Sequence, residues 1–195
     1  MRIVLASASP SRRMILRNAG VDPLVQPADV DEDALLAATD GSPQEAVATL
    51  ARAKAHAVAG QFHDDVVIGG DSMLLIDGHL QGKPHTRETT ITRWHEQAGK
   101  VAQLLTGHAI CYRGQEFVET STTTVYFAAA SDHDIEAYAA SGEPWQCAGA
   151  FTLEALGGWF IDRIEGDPSS VIGLSLPVVR RALYSFGLDA SDFWS

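Results

Sequence analysis

The chain is 195 residues long, 46% hydrophobic and 20% charged, with a formal net charge of −11 at pH 7. That length allows a sizeable core within one domain, taken here as 1–195, and the acidic excess argues against wholesale binding of nucleic acid, which requires a polyanion to be neutralised. No apolar run reaches the ~18 residues of a membrane span, and no basic-then-apolar leader opens the chain. The only two cysteines, Cys111 and Cys147, lack any CxxC spacing. A cytoplasmic protein with neither disulfide nor zinc site is therefore expected, its cysteines serving as small buried residues.

Met1 to Ala6 is rich in aliphatic residues and predicts a strand. It leads through Ser7, Ser9 and Pro10 into a helix whose first turn carries Arg12 and Arg13 and whose apolar stripe of Met14, Ile15 and Leu16 stops at Gly20. A phosphate at that turn would meet free N–H groups, serine hydroxyls and a guanidinium fork; the alternative is an ordinary N-capped helix with two solvated arginines. Pro23 to Ala28 predicts a second strand, and Asp29 to Asp33 an acidic turn. Ser42-Pro43-Gln44-Glu45 is a capping box that opens a helix closed by Gly60.

Asp65 to Gly70 reads as a buried strand ending in Asp71, followed by Met73 to Ile76, an Asp77-Gly78 hairpin turn and Gly82-Lys83-Pro84. A helix is expected over Thr86 to Gln97. Leu104 to Tyr112 and Glu116 to Ala128 form a long strand pair, and Ser131 caps a helix that runs to Ala140. Trp159 to Ile164 predicts a strand, Glu165 to Gly173 a loop, and Ser175-Leu176-Pro177 the start of a last helix ending near Gly187. Strands alternating with helices indicate an α/β or α+β layered domain with a mixed sheet.

Asp71 at a strand end opens onto the kind of cleft that binds ligands in α/β sheets, although aspartate is also a common turn residue. Glu32 alone reads as part of a solvated acidic loop. Taken together, Glu32, Asp71, Lys54, Lys83 and the Arg12 turn are parts suited to a polyphosphate: carboxylates hold Mg²⁺ or Mn²⁺ and orient water, and cations absorb charge on the leaving group. The seven histidines show no HxxxH or HExxH spacing and read as surface or capping residues. No G-x-S-x-G, Walker A or GxGxxG motif is present, which leaves a phosphatase of another chemistry without a nucleophile motif.

The order and spacing of Leu5-Ala6-Ser7-x-Ser9-Pro10-x-Arg12, the acidic turn with Glu32, Lys54 in Ala-x-Lys-Ala, Gly70-Asp71-Ser72, Gly82-Lys83-Pro84, Thr106-Gly107-His108, Cys147-Ala148-Gly149-Ala150-Phe151 and Val171-Ile172-Gly173-Leu174-Ser175-Leu176-Pro177 resemble the Maf family over essentially the whole chain. The resemblance implies an α/β fold related to inosine triphosphate pyrophosphatases, a mixed sheet with flanking helices in two lobes around a cleft. It also implies a metal-dependent nucleoside triphosphate pyrophosphatase, and the family includes many homodimers. It assigns Asp71 as the catalytic carboxylate and metal ligand, Glu32 as its metal-binding partner, and Ser7, Ser9 and Arg12 as the triphosphate grip, with Arg13 beside them. Lys54 and Lys83 would neutralise charge as pyrophosphate leaves.

Base preference in the family is set where this chain has Ser11, Ser72 and Glu154. Members preferring dTTP and UTP carry arginine, threonine and glutamine there; members acting on 7-methylguanosine triphosphate share the glutamate but carry tryptophan and glutamine at the other two. An ionised carboxylate only accepts hydrogen bonds, so Glu154 suits a base edge that offers N–H donors, as guanine does. The expected function is thus a cytoplasmic nucleotide pyrophosphatase acting on a small-molecule triphosphate, without nucleic-acid or membrane partners. The alternative is a nucleotide-binding regulator of cell division and septum formation with little turnover.

Overall fold

A computed structural model describes residues 1–195. Its elements in chain order are β1 (Ile3–Leu5), α1 (Pro10–Asn18), β2 (Leu24–Val25), α2 (Glu32–Ala37), α3 (Pro43–Ala59), β3 (Val66–Ile76), β4 (His79–Gln81), α4 (Arg87–Gln97), β5 (Val101–Tyr112), β6 (Gln115–Phe127), α5 (Asp132–Ala140), β7 (Ile161–Glu165), α6 (Pro168–Ile172) and α7 (Leu176–Ser185). Seven strands form one mixed sheet in the order β2-β1-β3-β5-β6-β7, with β4 paired to β3. β1 lies parallel to β2 and β3, whereas β3 with β4 and β6 with β7 are antiparallel. No helix is long and apolar enough to cross a membrane.

The chain divides into two compact units, one of Met1–Asp71, Thr106–Ser121 and Gly173–Ser195, the other of Ser72–Leu105 and Thr122–Ile172. In the first unit α3 follows its capping box: Ser42 Oγ accepts from the Glu45 N–H and Glu45 accepts from the Ser42 N–H. It buries Ala46, Val47, Leu50, Ala51, Ala55 and Val58. The small residues matter because the helix lies directly on two strand glycines. A Cβ on Gly69 of β3 would stand 2.3 Å from the Ala51 carbonyl oxygen, and one on Gly107 of β5 would stand 2.3 Å from that of Val47. Only glycine allows backbone to approach that closely.

The second unit is built on Trp94, fully buried, with Phe127, Tyr138 and Phe160 edge-on around it at 5.6 Å between ring centres. Its indole N–H donates to the Ala150 carbonyl at 2.7 Å, which fixes a segment where Gly149 and Ala150 both have left-handed backbone (φ 70° and 59°).

Several expectations are corrected. β3 does not end at Asp71 but continues to Ile76, because Gly69 and Gly70 are places of close packing rather than a break. The acidic turn gives way at Glu32 to α2: Asp31 Oδ1 accepts from the Ala34 N–H, and Glu32 and Asp33 occupy the first turn, where the helix dipole favours negative charge. The strand expected over Pro23 to Ala28 is only Leu24–Val25, since Pro23 and Pro27 have no N–H to pair. Residues Leu156–Phe160 form a 3₁₀ turn, so β7 starts at Ile161. The loop expected from Glu165 contains α6, started by Pro168 and by Asp167 Oδ1 accepting from the Ser169 N–H. The hairpin turn of β5 and β6 is only Arg113-Gly114, both at positive φ (46° and 76°), as a two-residue hairpin requires.

Gly69→Ala is expected to push α3 off the sheet and cost about 1–3 kcal/mol. Gly60→Ala, at the α3 C-cap with φ −61° and nothing within 4 Å of a built Cβ, is expected to be neutral or to stabilise by up to about 1 kcal/mol. Urea midpoints of the two variants check the contrast, and equal effects would contradict it.

Candidate active site

Successive residues of a strand face opposite ways, so Gly69 and Asp71 share the face of β3 covered by α3, and Gly70 points to the other. Because α3 is so close, Lys54 Nζ reaches Asp71 Oδ1 at 2.7 Å. It also reaches Glu32 Oε1, on the first turn of α2, at 2.9 Å. Asp71 and Lys54 are only 7% and 9% exposed. On the opposite face, Arg12 lies against Gly70, whose Cβ would stand 3.3 Å from Arg12 Nε, and against Gly173, whose Cβ would stand 3.5 Å from its Cγ. Arg12 Nε donates to the Gly173 carbonyl at 2.8 Å and Nη1 to Ser7 Oγ at 3.0 Å.

Burial pushes the Asp71 carboxyl above the usual carboxylate range; Lys54 and Arg12 oppose this, and Glu32 adds to it. Burial likewise pulls the Arg12 guanidinium down, against the opposing pull of Asp71 and Glu32. Two buried cations and two carboxylates therefore form one electrostatic unit, in which an unpaired member would be costly.

Asp71, Glu32, Lys54, Arg12 and Ser7 are thus brought together in the first unit. Ser9 caps α1 by accepting from the Arg12 N–H, while its own N–H donates to Ser7 Oγ at 3.2 Å. Ser11 is half-buried, and Arg13 is exposed, since the next residue of a helix turns about 100° away from Arg12. Ser72, half-buried, is the first residue of the second unit, where exposed Lys83 and Glu154 also lie. Both act electrostatically on Cys147, whose thiol is pushed up to about 11 by burial, Glu154 and Glu143, with Lys83 acting in the opposite direction. Glu143 accepts from Thr152 Oγ1, from the Leu156 N–H at 3.2 Å and from the Gly157 N–H at 3.1 Å, so it pins the loop that carries Glu154 on both sides.

Sequence reasoning missed His108, read as a surface or capping residue. It is fully buried: Nε2 accepts from the Ser175 N–H at 2.8 Å and Nδ1 faces the Glu119 carbonyl at 3.3 Å. It therefore fixes the Gly173–Ser175 segment whose carbonyl holds Arg12. The signal was its place among alternating apolar residues of β5.

The sequence profile of the family described as Maf-like protein matches residues 2–186. The chain belongs to this family. It is 71% identical over 196 residues to a protein of Corynebacterium efficiens named nucleoside triphosphate pyrophosphatase, covering 100% of both chains. A protein of the same name from Corynebacterium aurimucosum is 67% identical, covering 100% of this chain and 99% of the relative. Among solved structures, the Staphylococcus aureus Ham1 protein aligns at 19% identity and a TM-score of 0.47, covering 67% of this chain and 73% of that one.

Lys54→Met is expected to destabilise the fold by about 3–5 kcal/mol near neutral pH, because it leaves buried Asp71 short of its nearest cation. An aspartate whose folded pKa lies above its unfolded value loses stability as pH rises through the folded value. The deficit relative to the wild type should therefore be small below the ordinary carboxylate range and grow towards neutrality. Adding Asp71→Asn should recover most of the loss. Denaturation at several pH values checks this, and a pH-independent deficit would contradict it.

Proposed function

We propose that the protein hydrolyses a nucleoside triphosphate to the nucleoside monophosphate and pyrophosphate. The observation that carries the reading is the buried Asp71 carboxylate held between Lys54 and Arg12 beside Glu32, in a chain whose 67–71% identical relatives bear the name of that activity. A carboxyl raised by burial is a stronger base than an exposed one once ionised, and it suits removal of a proton from water attacking the α-phosphorus. Asp71 and Glu32 each give Lys54 one oxygen and keep a second, a hard-oxygen pair that suits Mg²⁺ or Mn²⁺; such an ion, held there with the phosphates, supplies Lewis-acid neutralisation of the triphosphate.

The residues of the chain divide the remaining work. Ser7 Oγ already accepts from Arg12 and from the Ser9 N–H, so both its lone pairs are used and its single donor is left for a phosphate oxygen. Lys54 spends two of its three donors on Asp71 and Glu32, leaving one for the substrate. Arg12 and Ser9, with Arg13 outside them, complete the grip, and Lys83 takes charge from departing pyrophosphate. Glu154, with Ser11 and Ser72, reads the base; as a pure acceptor on a pinned loop it favours a guanine-type edge over uracil or thymine.

Pyrophosphate release from a panel of nucleoside triphosphates with Mg²⁺ or Mn²⁺ tests the reaction. Asp71→Asn is expected to lose activity by a factor on the order of 10²–10⁴. Tight nucleotide binding without pyrophosphate release by the wild type would refute the reaction and favour a nucleotide-binding regulator, and full activity in Asp71→Asn would refute Asp71 as its base. Glu154→Gln, measured on the same panel, is expected to move preference towards uracil and thymine nucleotides; an unchanged profile would remove Glu154 from base reading.

A further inference from the structure

The fold assembles a third group of chemically capable side chains, all within the first unit, that neither the proposed reaction nor the family motifs use. His56 lies in the last turn of α3, Cys111 near the end of β5 and Glu116 at the start of β6. Their candidate ligand atoms all lie within 4.8 Å of one another, and His56 Nε2 stands 2.7 Å from Glu116 Oε1. Together with His63 and Phe62 they line a cavity of about 300 Å³. We propose that His56, Cys111 and Glu116 form a binding site for a borderline divalent transition metal, Zn²⁺ foremost, separate from the carboxylates at Asp71 and Glu32.

Donor chemistry and geometry carry the assignment. A thiolate, an imidazole and one carboxylate match Zn²⁺ and are poorly suited to Mg²⁺ or Ca²⁺, which take oxygen ligands. In a tetrahedral zinc centre the ligand atoms stand about 3.3–3.7 Å apart, so His56 and Glu116 need to part by under about 1 Å and Cys111 to close by about as much. The ion takes the place of the proton between His56 and Glu116, which moves to His56 Nδ1 if the ring is neutral and leaves to solvent if it is charged, and the thiol proton also leaves to solvent as the ion enters. A fourth position opens to the cavity and is filled by water.

Glu116 is already oriented for this. Arg52 donates to both of its oxygens, Nε at 3.2 Å and Nη2 at 2.6 Å, and holds its carboxyl below the usual range. A carboxylate has about four lone-pair sites, and a fork uses only two. Arg52 is thus a positioning residue of the kind that outer-shell partners supply at metal sites. Bound metal would tie the end of α3 to the β5–β6 hairpin, two residues from Lys54. Sequence spacing argued against a zinc site because no CxxC pair is present and His56 lies far along the chain from Cys111 and Glu116; only the packing of α3 on β5 joins them.

The probe is Co²⁺ and then Zn²⁺, titrated into chelator-stripped full-length protein. Wild type should take up one Co²⁺ with a thiolate-to-cobalt charge-transfer band in the near ultraviolet, bleached by Zn²⁺. Cys111→Ser should abolish the band, and His56→Ala and Arg52→Ala should each weaken binding about tenfold or more. Asp71→Asn should leave the band intact, which separates this site from the catalytic one. Zn²⁺ should raise the melting temperature of the wild type more than that of Cys111→Ser. No thiolate band, a band that survives Cys111→Ser, or affinity unaffected by His56→Ala would overturn the proposal.

Discussion

A carboxylate buried to the depth of Asp71 constrains everything around it. Its ionised form cannot persist in low dielectric without cations and donors beside it, and the chain meets that need from both faces of one strand. Lys54 comes down from α3 on one side, and Arg12 comes from α1 on the other. Each approach requires glycine where it crosses β3: Gly69 under α3, Gly70 under the guanidinium. Gly107 extends the seat for α3 onto β5, and Gly173 closes over Arg12. Glycines that weaken a strand in isolation are here the condition for seating a charge inside it.

The second unit solves a different problem. Its aromatic core around Trp94 is buried and apolar, and the indole N–H and the Glu143 carboxylate tie down the irregular segments that carry Cys147 and Glu154. The proposed base-reading residue of that unit sits on a loop held by specific hydrogen bonds, whereas the proposed catalytic residues of the first unit sit on regular elements in close contact. The proposed division of labour follows: precise charge placement for the chemical step, and an exchangeable loop for choosing the base.

What could be read from the sequence depended on how local the physics was. α3 was legible because its capping box, proline and closing glycine lie within the helix itself, and α7 because Ser175 and Pro177 mark its start. The resemblance to the Maf family pointed to Asp71, Glu32, Lys54 and Arg12, and the fold does bring these four together. β3 was misjudged at Asp71 because an aspartate after an apolar run also reads as a turn residue, whereas here it continues a strand whose Gly69 and Gly70 seat α3 and the Arg12 guanidinium. α2 was missed because its acidic start is also the composition of a solvated turn. His108 was passed over although it stands among the apolar residues of β5, and the His56, Cys111 and Glu116 cluster was invisible, since convergence of an α3 residue on a hairpin leaves no spacing pattern.

The central claim is that Asp71 takes a proton from water and does not itself attack phosphorus. Its carboxylate is committed to Lys54 through Oδ1 and is nine-tenths buried, an arrangement for a fixed base rather than a mobile nucleophile. A single turnover in H₂¹⁸O, with substrate below enzyme and products resolved by mass spectrometry, tests this most directly. The account predicts one ¹⁸O in the nucleoside monophosphate and none in pyrophosphate in that first turnover. Unlabelled monophosphate with ¹⁸O in the Asp71 carboxyl, or label in pyrophosphate, would contradict it.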